Sequence, residues 1–201
     1  MRTISRNTIL FDWDGTLFDS ASAGWLAFQK TFDDLGVPFT REFYEVHYSP
    51  NWYAMYETLS VPKEKWKIAD ELWLEHYGEQ PPKLVDGARE TLDELHTRGY
   101  RLGIVTSGTE RRVAREITLL GLDSRFEALI CNEHIVNKKP HPEGLELAMR
   151  EMNVAPSQCA YVGDAPEDIE MGRRGQVMTI GVRSAYPSSA RVLSAKPDLY
   201  L

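Results

Sequence analysis

Two aspartates stand two positions apart behind a short apolar run: Asp12 and Asp14 follow Thr8-Ile9-Leu10-Phe11, and Gly15 behind them permits a sharp exit. A strand of that composition delivers both carboxylates to one rim of a sheet, where open α/β folds place their ligands. A carboxylate pair after a strand also fits a plain turn, so its meaning rests on what else reaches the same rim. Three further segments carry reactive groups behind apolar runs. Thr106-Ser107-Gly108 brings a hydroxyl beside a glycine-flanked backbone, Lys138-Lys139-Pro140 an ammonium, and Gly163-Asp164 a third carboxylate, with Asp168 beyond it. Carboxylates, a hydroxyl and an ammonium at one edge suit phosphoryl transfer, which needs a nucleophile, an acid/base and positive charge against the phosphoryl oxygens. Lys139 and the Thr106 hydroxyl would hold those oxygens. Aspartates are hard oxygen ligands, so Mg²⁺ is the natural ion to keep the carboxylates from repelling an incoming phosphate.

The elements that must position these groups follow from periodicity. Short apolar strands are expected at Thr8–Trp13, Arg101–Thr106, Glu127–Cys131, Cys159–Gly163 and Val177–Val182, with Asp198–Leu201 as a last strand. Between them Gly87–Arg98, Thr109–Leu120, Pro142–Met152 and Ala165–Gly175 carry apolar residues at helical spacing and end near glycines or open on a proline. Strands alternating with helices of this length predict an α/β fold with a doubly wound, mainly parallel sheet. One stretch breaks the alternation. Ala21–Leu35, Thr40–Tyr48, Pro50–Leu59 and Pro62–Tyr77 read as helices with no strand among them, and every tryptophan except Trp13 lies here. The division expected is an α/β core over 1–18 and 83–201 and an inserted α-helical subdomain over 19–82. The tail from Ser184 to Pro197 reads as loop with one short helix.

Composition narrows the partners. At 201 residues, with 42% hydrophobic and 26% charged residues, the chain is an ordinary globular protein with a real core. A net charge of −7 argues against a nucleic-acid backbone or an anionic membrane surface as partner. It leaves room for a small anionic substrate, because a local cation overrides a net charge. Cys131 and Cys159 read as small buried strand residues, neither a disulfide nor a metal pair. The apolar run after the basic N-terminus is too short for a signal peptide, and no run reaches membrane-spanning length. The expected setting is cytoplasmic, as a monomer or homodimer.

The four segments resemble the motifs of the haloacid dehalogenase superfamily. DWDGT, GIVTSG, NKKPHPEG and VGDAPED stand in the family's order over Asp12–Asp168, and GYRLGIVTSG and IEMGRRGQ look like its phosphoglycolate-phosphatase-like branch. The resemblance covers the whole chain and implies a Rossmann-like core with a helical cap. It makes Asp12 the nucleophile that forms an aspartyl-phosphate, and Asp14 the acid that protonates the leaving group and then activates water. Asp12, the Asp14 backbone carbonyl and Asp164 would ligate Mg²⁺, with Asp168 touching it directly or through an intervening ligand. Thr106, the Ser107 N–H and Lys139 would bind phosphate, and Thr16 would position Asp14. The helical insert would close over the site and read the leaving group.

Plainer roles compete for some of these residues. Thr106-Ser107-Gly108 also fits a helix cap, Asp168 a first-turn helix acid and Lys138 a solvated neighbour of Lys139. Ala165 departs from the Ser or Thr common after the Gly-Asp pair. His47, Tyr48, Trp52, Tyr53 and Tyr56 read mostly as packing inside the insert, with a minority facing substrate. The histidines and cysteines do not assemble into a zinc motif, so a zinc site is not expected. The function this favours is a Mg²⁺-dependent phosphatase acting on a small phosphorylated metabolite. A phosphomutase of the same superfamily, resembling β-phosphoglucomutase, shares every motif. A phospho-accepting receiver domain would need adjacent acids after the first strand and an aspartate after the third, where Cys131-Asn132 stands. A catalytically dead binding module finds no support, since all the catalytic positions are filled.

Overall fold

The computed structural model describes residues 6–48 and 52–201. The chain opens with β1 (Thr8–Phe11) and runs through α1 (Ser20–Asp34), α2 (Arg41–His47), α3 (Trp52–Thr58) and α4 (Trp66–Gly78). It then alternates: α5 (Ala88–Thr97), β2 (Arg101–Val105), α6 (Glu110–Leu119), β3 (Ala128–Ile130), α7 (Glu143–Glu151), β4 (Cys159–Gly163), α8 (Pro166–Arg174), β5 (Met178–Gly181) and β6 (Leu199–Tyr200). Two compact units result. One comprises Met1–Asp19, Pro82–Ser184 and Ser189–Leu201; the other is Ser20–Pro81 with Ala185–Ser188.

In the first unit the strands form one sheet in the order β3-β2-β1-β4-β5-β6, and every pairing is parallel. The expected doubly wound sheet is present, and among the described residues its strands are all parallel. The order reverses between β1 and β4, which makes their carboxyl ends the switch point where such sheets bind ligands. Register sets the levels there: Phe11 lies opposite both Ile104 and Val162, so Asp12, Val105 and Gly163 come next at one height. The core under this edge joins Leu10, Val105, Ile130, Leu145, Met149, Tyr161 and Met171.

The strands stop earlier than their apolar runs suggest. β1 ends at Phe11 because the Trp13 carbonyl accepts both Leu17 N (3.0 Å) and Phe18 N (2.9 Å), turning the chain out of the sheet. Cys131 is buried but lies one residue past β3, heading a short 3₁₀ turn over Asn132–His134. Cys159 is buried in β4 as expected, and both cysteines are free thiols. The tail holds two 3₁₀ turns, Pro187–Arg191 and Leu193–Ala195, where one short helix is expected.

The second unit is helical and packs through aromatic rings. Phe28, Phe32, Tyr44, Met55, Tyr56, Val61 and Ala69 form its core, edged by Trp25, Trp66 and Trp73. Phe32 and Phe39 lie 4.7 Å apart between ring centroids, and Tyr56 meets Phe32 edge-on at 5.9 Å. Thr40 caps α2 by accepting Phe43 N at 3.1 Å. α3 is described from Trp52 onward; the expected start at Pro50, with Asn51 and the Trp52 side chain, lies outside the described residues. Of the flagged aromatic cluster, Tyr56 is buried, whereas Tyr53 and His47 are exposed.

The two ends of this helical segment are clipped together within the first unit. Asp19 N donates to Lys83 O (2.8 Å) and Val85 N to Leu17 O (2.9 Å). Packing under the sheet edge is tested by contrast. Truncating Leu145 to Ala, at a side chain with 0% exposure, is expected to cost about 2–5 kcal/mol of stability. Leu119→Ala, at 55% exposure, is expected within about 0.5 kcal/mol of neutral. Urea midpoints of the two variants check both.

Candidate active site

Asp12 leaves β1 while its own N–H still bonds Val162 O at 2.8 Å, so its backbone is fixed by the sheet, and only 7% of the residue is exposed. Asp164 stands at the matching place after β4, and Asp168 lies in the first turn of α8, 1% exposed. One carboxylate oxygen from each of Asp12, Asp164 and Asp168 lies within 4.8 Å of the others. The Lys139 ammonium sits on this group, 2.6 Å from Asp12 Oδ1 and 2.8 Å from Asp168 Oδ1. Gly163 makes the approach possible: a Cβ there would fall 2.4 Å from the Asp168 Cβ.

Three buried carboxylates thus face one ammonium, and their electrostatics show the imbalance. Burial drives the Asp12 carboxyl well above its ordinary value; Lys139 opposes this, while Asp168, Asp164 and Asp14 add to it. Asp164 is pushed from 3.8 up to about 7, first by burial and then by Asp168. Burial works against the Lys139 charge, but Asp12 and then Asp168 outweigh it and hold the ammonium well above its usual range.

The structure brings most of the expected residues together. Thr106 is buried, and its hydroxyl oxygen accepts Gly108 N at 3.0 Å. It does not cap α6, whose N-cap position is Thr109. Ser107 beside it is exposed. The Thr16 hydroxyl donates to Asp164 Oδ1 at 3.3 Å, not to Asp14. Asp168 acts as the expected first-turn helix acid, its Oδ2 accepting Ala165 N at 3.0 Å, while its Oδ1 meets Lys139. Asp14 points its carboxylate to Arg112, with Nη1–Oδ1 at 3.0 Å and Nη2–Oδ2 at 2.5 Å.

Lys138 is not a merely solvated neighbour. Its ammonium donates to Asn132 O (2.5 Å) and Ile135 O (2.6 Å). The Glu143 carboxylate accepts Val136 N (2.9 Å) and Asn137 N (2.8 Å) across the same loop. Together they pin the segment that presents Lys139.

Other residues at the site went unnamed in the sequence reading. Tyr161 is fully buried, donates to Val105 O at 2.8 Å and lies 3.3 Å from Asp168 Oδ1. The Lys139 ammonium lies 5.5 Å from its ring centroid. Its one sequence signal is a phenol inside an otherwise apolar strand. Arg112 and Glu116 carry another signal, an i,i+4 pair flanking the apolar stripe of α6. Nothing local announces that this pair reaches Asp14.

A family model for haloacid dehalogenase-like hydrolases matches residues 9–182. The pyrophosphatase PpaX of Listeria monocytogenes is 30% identical over 199 residues, covering 96% of this chain and 91% of its own. A phosphoglycolate phosphatase of Colwellia psychrerythraea is 31% identical over 199 residues, covering 92% of this chain and 88% of its own. The crystal structure of a predicted phosphoglycolate phosphatase from Haemophilus somnus superposes with a TM-score of 0.83, covering 100% of this chain and 95% of its own; at 22% identity this likeness speaks for the fold. The matched stretch spans every site residue from Asp12 to Asp168, and the chain belongs to the haloacid dehalogenase-like hydrolase family.

Proposed function

We propose that the protein is a Mg²⁺-dependent phosphatase that hydrolyses a small phosphomonoester through an aspartyl-phosphate on Asp12. The observation that carries this is the buried group of Asp12, Asp164 and Asp168 around Lys139 at the switch point of the sheet. The relatives named as a phosphoglycolate phosphatase and a pyrophosphatase support phosphoryl hydrolysis of a small substrate.

The donor set fits a hard divalent cation. All three ligand atoms are carboxylate oxygens, burial and mutual repulsion raise Asp12 and Asp164, and a single ammonium leaves negative charge uncompensated. Asp12, the Asp14 backbone carbonyl and Asp164 would hold Mg²⁺, with Asp168 as a direct or indirect partner. When bound, the ion neutralises charge on the phosphoryl oxygens.

The chain's own groups supply the rest. Asp12, fixed by the sheet, attacks phosphorus; the bond to the leaving oxygen breaks, and that oxygen takes a proton from Asp14. Water then attacks the same phosphorus, the bond to Asp12 breaks with its electron pair returning to the carboxylate, and Asp14 takes the water's proton. Lys139, the Thr106 hydroxyl and the Ser107 N–H hold the phosphate oxygens, and Thr16 steadies Asp164.

Replacing Asp12 with Asn is expected to reduce phosphate release from p-nitrophenyl phosphate and phosphoglycolate to background while the melting transition persists. Near-normal turnover in that variant overturns the mechanism. A second expectation concerns pH. The folded state raises Asp164 from 3.8 to about 7, so it binds more protons than the unfolded chain between about pH 4 and pH 7, and stability falls as pH rises through that window. Metal-free protein is therefore expected to lose stability across it, Asp164→Asn to lose less, and Mg²⁺ to raise the melting temperature more at pH 8 than at pH 5. Scanning calorimetry with EDTA or Mg²⁺ reads all three.

A further inference from the structure

Asp14 does not stand alone at the edge of the site. Its carboxylate is gripped on both oxygens by the Arg112 guanidinium, at 3.0 and 2.5 Å. The same guanidinium reaches Glu116, one turn along α6, with Nη1–Oε2 at 3.0 Å. Glu116 is almost fully buried and in turn accepts the indole N–H of Trp13 at 2.8 Å. Trp13 is itself fully buried and immediately precedes Asp14. The chain of contacts therefore leaves the strand end through an indole, crosses a helix and returns to the neighbouring residue. Gly108 leaves room for it: a Cβ there would fall 2.5 Å from Arg112 Nη2.

A planar guanidinium with two parallel N–H donors fixes direction as well as charge. Without it the Asp14 side chain, with about a quarter of its surface exposed, loses the donor that holds both of its oxygens. The second carboxylate on Arg112 holds the arginine in turn, because moving the guanidinium would leave the buried Glu116 carboxylate with the Trp13 indole but without its charged partner. We propose that Arg112, backed by Glu116 and Trp13, is a positioning residue that aims the Asp14 carboxylate for its proton transfers. The inference rests on the phosphatase reading above and names a device that reading does not contain.

A positioning role has a signature that a structural one lacks. Departure of p-nitrophenolate needs little help from a general acid, whereas departure of an alkoxide needs much. In Arg112→Met, kcat/KM for the alkyl phosphomonoester that the wild type turns over best is expected to fall at least about tenfold. With p-nitrophenyl phosphate it is expected to stay within about threefold, and Arg112→Lys, which keeps the charge without the fork, to lie between. Because the single variant strands Glu116, the double variant Arg112→Met/Glu116→Gln is measured beside it and is expected to show the same split with a higher melting temperature. An equal loss on both substrates, or no loss on either, in both variants overturns the role of Arg112. Asp12→Asn in the same assay separates the two levels: if it retains turnover, the phosphatase reading has failed; if it is inactive while Arg112→Met shows no split, only this inference has.

Discussion

The structure turns on the burial of an ammonium among carboxylates. Lys139 is drawn from a loop between β3 and α7 to the ends of β1 and β4, where Asp12, Asp164 and Asp168 would otherwise repel one another in a poorly hydrated place. An unpartnered charge there would cost several kcal/mol in effective terms, by the rough scale for buried ions. The surrounding architecture reads as a set of devices for holding this arrangement. The parallel register sets Asp12 level with the end of β4, Gly163 lets α8 approach, the Tyr161 ring lies near the ammonium, and Lys138 with Glu143 anchors the loop that carries it.

How much of this could be read from the chain depended on whether a residue's partner was local. The alternation of strands and helices follows from short-range patterns, the carboxylate group is indicated by four motifs standing in a family's order, and the carbonyl of Trp13 only trims the first strand. Thr16 is different. Its neighbour in sequence is Asp14, yet its hydroxyl serves Asp164, which lies 148 positions away. Arg112 meets Asp14 across 98 positions, and the indole of Trp13 meets Glu116 across 103. Such pairings are written in the packing of α6 against the strand end, and no periodicity encodes which side chain of a helix flank a distant carboxylate will find. Tyr161 escaped for the opposite reason: aromatic residues are so common in strands that a phenol there carries little information by itself.

The helical unit obeys a different logic. Its stability comes from rings packed against rings, with Phe28, Phe32, Tyr44 and Tyr56 at the centre, and from polar handles such as the Tyr53 and Tyr56 hydroxyls shared by Asp70. The Asp70 carboxylate and the loss of hydration together hold the Tyr56 phenol well above its ordinary value, burial being the larger cause. Aromatic packing of this kind fixes a shape without placing charge, which leaves the reactive groups described above concentrated in the α/β unit.

The hydrogen bonds that tie Asp19 to Lys83 and Leu17 to Val85 close the α/β unit on itself at the very place where the chain departs and returns. To the sheet, everything between those residues is a loop whose two feet are already joined. The entropy of closing it is therefore met at the feet and depends only weakly on what lies between. A change in the length of that segment would therefore leave the register that sets Asp12 in place, because two peptide hydrogen bonds already hold its feet together.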